Sequence, residues 1–95
     1  MVADDRAERT LQIQNELGLH ARAATKFVQL ASKFTGCVIT VTKADNEVNG
    51  KSILSLPTLM APKGTTLTIR ARGERAEDAV NALSALIEDK FGEEK

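Results

Sequence analysis

Apolar and polar positions change period several times along the chain, and each change marks an element. From Arg9 to Gln14 they alternate, with Leu11 and Ile13 on one side and Thr10, Gln12 and Gln14 on the other. That predicts a half-buried strand. Asn15-Glu16-Leu17-Gly18 is turn chemistry, with Gly18 able to take a positive φ. From Ala21 to Lys33 the step becomes three and four. Ala23, Ala24, Phe27, Val28, Leu30, Ala31 and Phe34 then line one side of a predicted helix. Thr35-Gly36 ends it, with Gly36 suited to the left-handed position after a helix. Cys37 to Lys43 is rich in β-branched residues and predicts a second strand. Ala44-Asp45-Asn46 is a turn, and Glu47 to Gly50 a short returning strand. Over Lys51 to Met60, the residues Ile53, Leu54, Leu56 and Leu59 predict a short amphipathic helix, with Ser52 near its start and Pro57 interrupting it. After the turn at Pro62-Lys63-Gly64, Thr65 to Ala71 alternates with Leu67, Ile69 and Ala71 facing in, and Gly73 closes the strand. The last helix, from about Arg75 to Lys90, carries Ala76, Ala79, Val80, Leu83, Leu86 and Ile87 as its apolar stripe, before Gly92 and a charged tail.

The predicted order is βαββαβα, and every element has one apolar face. Such elements bury those faces by packing helices on one side of an antiparallel sheet, which is a two-layer α+β sandwich. The expectation is a four-stranded antiparallel sheet with three helices on one face. A chain of 95 residues makes one domain. Residues 1–8 are expected to form a flexible extension, 9–91 the domain and 92–95 a charged tail. A domain of this size buries roughly 60–70% of the surface of its unfolded chain. One modest core fits; a deep internal cavity does not.

Composition narrows the function. Trp and Tyr are absent and Phe occurs three times, so the core is aliphatic. Thirteen basic residues balance thirteen acidic ones, which gives no basic footprint for nucleic acid. No apolar run reaches the ~18 residues of a membrane span. The opening Met1-Val2-Ala3-Asp4-Asp5-Arg6 is polar and does not resemble a signal peptide, so a cytoplasmic location is expected. Cys37 is the only cysteine, which rules out an internal disulfide and a multi-thiolate metal site. Beside Val38, Ile39 and Val41 it is expected to be a buried structural thiol. A catalytic pair of Cys37 with the one histidine lacks a third, orienting group. Gly50-Lys51-Ser52 has the tail of a P-loop without its glycine spacing. Paired carboxylates in a motif are also missing, so neither a metal nor a cofactor is expected.

The stretch Gly18-Leu19-His20-Ala21-Arg22 carries candidate chemistry. His20, the one histidine, stands in the loop just before the first helix. The first N–H groups of a helix lack intrahelical acceptors, and the helix dipole adds partial positive charge there. An anion is at home at that end. An imidazole there can hold a phosphoryl group against the backbone N–H groups of Ala21, Arg22 and Ala23. The Arg22 guanidinium adds charge-assisted bonds to its oxygens. A neutral ring nitrogen is the nucleophile, and phosphoryl transfer needs little beyond positioning and charge stabilisation. The local pattern also fits a histidine that merely flanks a helix next to a solvated arginine.

Gly18-Leu19-His20-Ala21-Arg22, followed by Ala24 and Phe27-Val28, resembles the active-site signature of the HPr family. These are the histidine-containing phosphocarriers of the bacterial phosphoenolpyruvate-dependent phosphotransferase system, in their sugar-linked or nitrogen-linked form. Val48-Asn49-Gly50-Lys51-Ser52-Ile53-Leu54 resembles the family's second signature, and Lys63-Gly64-Thr65 with the alternating strand after it resembles its last strand. The resemblance covers roughly residues 9–90 and implies an open-faced β-sandwich. It implies a phosphocarrier that is not an enzyme by itself. His20 would take the phosphoryl group on Nδ1 from Enzyme I, and Arg22 would contact it. An enzyme IIA domain would receive it. Ser52 would match a serine that a dedicated kinase phosphorylates in some bacteria. Ile53 and Leu54, with Ala24 and Phe27 of the first helix, would dock partners. A monomer is expected, because both signatures need open surface. A regulatory docking module, whose phosphorylation state controls a partner rather than sugar transport, is the alternative.

The family usually places proline after the arginine, where this chain has Ala23. Alanine keeps helical propensity and adds an N–H donor, but makes the start of the helix less rigid. Ser52 has a second reading as a helix N-cap. A phosphate there would set negative charge beside an apolar docking patch.

Overall fold

The computed structural model describes residues 6–95. Four strands form one antiparallel sheet: β1 (Arg6–Gln12), β2 (Cys37–Lys43), β3 (Asn46–Asn49) and β4 (Thr66–Gly73). Their order is β1-β4-β2-β3. β2 and β3 pair across the predicted turn, with Lys43 opposite Asn46 and Thr40 opposite Asn49, and β4 slots between β1 and β2, with Leu11 opposite Leu67 and Val41 opposite Ile69. Two α-helices, α1 (Ala21–Ala31) and α2 (Ala76–Glu88), pack on one face. Because strand side chains alternate, Ile39, Val41, Leu67, Ile69 and Ala71 all point under the helices and are buried. Arg70, Arg72 and Val38 fall on the other, open face. This is the open-faced α+β architecture.

The third helix is a correction. Between Lys51 and Met60 there is no α-helix, only a single 3₁₀ turn at Leu56–Leu59. Pro57 sits in its first turn, where its missing N–H is harmless, so the turn starts after Ser55 and not at Ser52. Met60 then takes a left-handed φ of 50° and stops it. Four residues remain, too few for an α-helix. A second 3₁₀ turn, Lys90–Gly92, follows α2.

Strand β1 begins at Arg6, so Arg6-Ala7-Glu8, expected in the flexible extension, are paired with Arg72, Ala71 and Arg70. The reason is that β4 runs on to Gly73 and offers them partners, with an ion pair of 2.8 Å between Arg70 and Glu8. The rest of that proposed extension, residues 1–5, lies outside the described residues. Gly36 does not take the left-handed conformation; Ser32, still right-handed, ends α1. Cys37 is buried, as a structural thiol should be.

The loop before α1 is set by Gly18. Its N–H bonds back to the Asn15 carbonyl at 3.1 Å, closing a four-residue turn. Its φ is +70°, and a Cβ there would stand 2.5 Å from the Ala61 carbonyl oxygen. Only glycine lets the loop lie this close, and the next residue, Leu19, then donates to that same Ala61 oxygen at 2.9 Å. His20 leaves this clamp directly into α1.

Candidate active site

His20 is the N-cap of α1, with extended backbone angles (φ −76°, ψ 178°). Its carbonyl takes the first helical bond, from Ala24 N–H at 2.8 Å. Its ring turns back over the helix end, so that Nδ1 accepts from the Arg22 N–H at 3.2 Å. Capping is usually the work of a hydroxyl or carboxylate; here an imidazole nitrogen fills that place. The side chain keeps 24% of its surface exposed, so the ring is held yet reachable.

The sequence expectation placed the N–H groups of Ala21, Arg22 and Ala23 at the phosphate. The structure assigns the Arg22 amide to Nδ1 itself, while those of Ala21 and Ala23 have no acceptor among the described residues. Arg22 stands exposed in the first turn and forms no ion pair among them. Its guanidinium is therefore available to an incoming anion. Ala23 is fully buried against the core at the position where the family's proline is expected.

Ala24 and Phe27 are a correction. Both are buried, at 0% and 1% exposure, on the side of α1 that faces the sheet. Three- and four-residue spacing puts them on the same face as Ala31, and that face is core. They shape the helix that carries the site but offer nothing to a partner. Ile53 and Leu54 are exposed, Leu54 at 85%. Leu17 and Met60, which sequence reasoning did not single out, are also exposed and flank the Leu19–Ala61 hydrogen bond. Ser52 is half-buried. Its Oγ accepts from the Ser55 N–H at 3.1 Å and donates to Ser55 Oγ at 2.9 Å, so it caps a turn.

The largest omission of the sequence reading is Glu93. Its Oε2 meets His20 Nε2 in a close hydrogen-bond contact. Its Oε1 accepts from Asn15 Nδ2 at 2.9 Å. Asn15 is wholly buried, and the same Nδ2 also donates to the Gly18 carbonyl at 2.8 Å. These bonds hold the Glu93 carboxyl below the ordinary carboxylate range. The bond from His20 contributes most and that from Asn15 next, with the charges of His20 and Arg22 adding and burial opposing. The carboxylate is brought here by the chain end. Phe91 is fully buried, Lys26 Nζ donates to its carbonyl at 2.8 Å, and Glu16 N–H donates to the Lys95 carbonyl at 3.1 Å. The only signal of this in the sequence is an isolated Phe91 next to Gly92 within an otherwise charged tail.

With this geometry in place, similarity to known proteins becomes informative. Residues 7–89 match the family described as "PTS HPr component phosphorylation site". Phosphocarrier protein HPr of Neisseria meningitidis serogroup A is 46% identical over 86 residues, spanning 90% of this chain and 96% of that protein. Phosphocarrier protein NPr of Shewanella violacea is 42% identical, spanning 90% and 93%. A crystal structure of HPr-C-His from Thermoanaerobacter tengcongensis superposes with a TM-score of 0.89 at 46% identity, covering 94% of this chain and 99% of that one. The chain belongs to the HPr family of phosphotransferase-system phosphocarriers.

Proposed function

We infer that the chain takes a phosphoryl group from Enzyme I on His20 Nδ1 and passes it to an enzyme IIA domain, in the cytoplasm. The observation that carries this reading is the Arg22 N–H donated to His20 Nδ1 at the opening of α1. A nitrogen that accepts a hydrogen bond carries a lone pair, and a lone pair is what attacks phosphorus. When the N–P bond forms, the Arg22 amide is already beside the new group. The amides of Ala21 and Ala23, and the Arg22 guanidinium, surround the same helix end, where the dipole favours added negative charge. The chain supplies position and charge, and its partner supplies the rest of the chemistry. Ile53 and Leu54, and with them Leu17 and Met60, are the exposed apolar residues that suit partner docking. Ser52 is the place for regulation by a kinase. The chain acts as a monomer.

Incubation with Enzyme I and phosphoenolpyruvate is expected to add one acid-labile phosphate per chain, measured by intact mass. The His20→Ala variant should take none. Labelling that persists in that variant would overturn the assignment.

A further inference from the structure

We propose that Glu93 is a positioning residue for phosphoryl transfer: its carboxylate, held by Asn15, fixes the Nε2–H form of the His20 ring and stabilises the positive charge that the ring acquires when Nδ1 attacks. The proposal rests on the phosphocarrier reading of His20 and extends it to a residue from the other end of the chain.

Two contacts on opposite edges of the ring set its tautomer. The Arg22 N–H donates to Nδ1, so Nδ1 carries no proton. The proton of a neutral ring is then on Nε2, where Glu93 Oε2 accepts it. Either contact alone biases the ring, and together they leave one arrangement. The carboxylate itself cannot swing away easily. Its second oxygen is tied to Asn15, which is buried and also bonded to the Gly18 carbonyl. Behind it, the buried Phe91 and the Lys26 bond to the Phe91 carbonyl anchor the tail.

In the transfer step the Nδ1 lone pair forms a bond to phosphorus. The bond from phosphorus to the donor breaks, and its electron pair returns to the donor. The ring, still bearing its Nε2 proton, becomes positively charged, and the carboxylate faces that proton. In the onward step the same charge makes the ring a better leaving group. The N–P bond breaks, its pair returns to Nδ1, and the neutral Nε2–H form is restored. A carboxylate that orients an imidazole and stabilises its cation is a known device of nucleophilic sites. Repulsion between Glu93 and the incoming phosphoryl group is limited, because Nε2 and Nδ1 lie on different edges of the ring and the Arg22 charge acts on Glu93 too.

The test uses the full chain with Glu93→Gln, which keeps the shape and removes the charge, and Glu94→Gln, an exposed neighbour with the same change in net charge. Nitrogen-15 NMR of His20 reports the tautomer, and transfer from phosphorylated Enzyme I reports the rate. Glu93→Gln is expected to accept about 10- to 100-fold more slowly, the scale of losing an outer carboxylate on a working imidazole. Its Nε2–H preference should weaken, while Glu94→Gln matches the wild type in both. An unchanged rate in Glu93→Gln overturns the proposal. So does a slowed rate with the tautomer unaltered, which would place the loss in docking. Wild-type protein that takes no phosphate at all would instead defeat the phosphocarrier reading, and the tautomer measurement would still judge the role of Glu93.

Discussion

His20 has a donor on one ring nitrogen and an acceptor on the other, and both come from backbone decisions made elsewhere: the helix start at Ala21 and the return of the tail. The acceptor makes a prediction about stability. Glu93 titrates below the ordinary carboxylate range because its ionised form gains the bonds from His20 and Asn15. A group whose folded pKa is depressed stabilises the fold while it is ionised. That contribution is full above the range where an unfolded glutamate titrates, about pH 4.3. It disappears as pH falls through the lower, folded value. Urea unfolding of wild type and Glu93→Gln should therefore differ at pH 6–7, with the wild type more stable. The difference should shrink steadily on acidification below about pH 4. Two curves separated by a constant gap would mean that ionisation of Glu93 is not what stabilises the tail.

The segment between β3 and β4 shows how a predicted element can keep part of its apolar pattern and lose its predicted form. An amphipathic helix was legible there in Ile53, Leu54, Leu56 and Leu59, and half of that pattern is real: Leu56 and Leu59 are buried while Ile53 and Leu54 are exposed. What the pattern does not encode is the left-handed Met60 that stops the turn, nor Lys43, whose Nζ donates to the Leu59 and Met60 carbonyls at 3.0 and 2.9 Å from a distant strand. The strands and the two long helices were legible because their burial repeats at a fixed period. The helix N-cap expected at Ser52 is a turn cap instead, its hydroxyl accepting the Ser55 N–H beside the exposed Ile53 and Leu54. A Ser52→Asp variant keeps an acceptor for the Ser55 N–H, so stability should stay within about 1 kcal/mol of wild type. Its added charge beside the apolar patch should slow acceptance from Enzyme I by about 3- to 10-fold, the scale of one partly screened charge. Acceptance at the wild-type rate would show that charge at this position does not act on docking.

At the scale of the whole molecule, the site is closed by a tail whose course no period announces. The stripe of α2 ends at Ile87, and after it Lys90 and Phe91 take left-handed φ values of 59° and 56°. Each such residue costs about 1–2 kcal/mol. Burial of the Phe91 ring returns about 1.5–3 kcal/mol, and the charged bond from Lys26 about 1.5–3 more. The strained turn is thus sustained by a ring that fills the space beside α1 and α2, and Glu93 follows two residues later. His20 and Glu93 were invisible to each other in the sequence because 73 positions separate them and the return of the tail, anchored by the Phe91 ring and the bonds from Lys26, Glu16 and Asn15, brings them together. Phe91→Ala should lower unfolding stability by about 3–5 kcal/mol, as deletion of a wholly buried phenyl group does. That is a large share of the roughly 5–15 kcal/mol of a typical domain. Phe91→Leu should lose less, because most of the volume stays. The two variants then separate folding from positioning. Measured at a temperature where both remain folded, phosphoryl acceptance should fall with the loss of the tail contact in Phe91→Ala and recover most of the way in Phe91→Leu. If Phe91→Ala stays folded and accepts phosphate as fast as wild type, the tail does not position the ring, and α1 alone holds His20 in place.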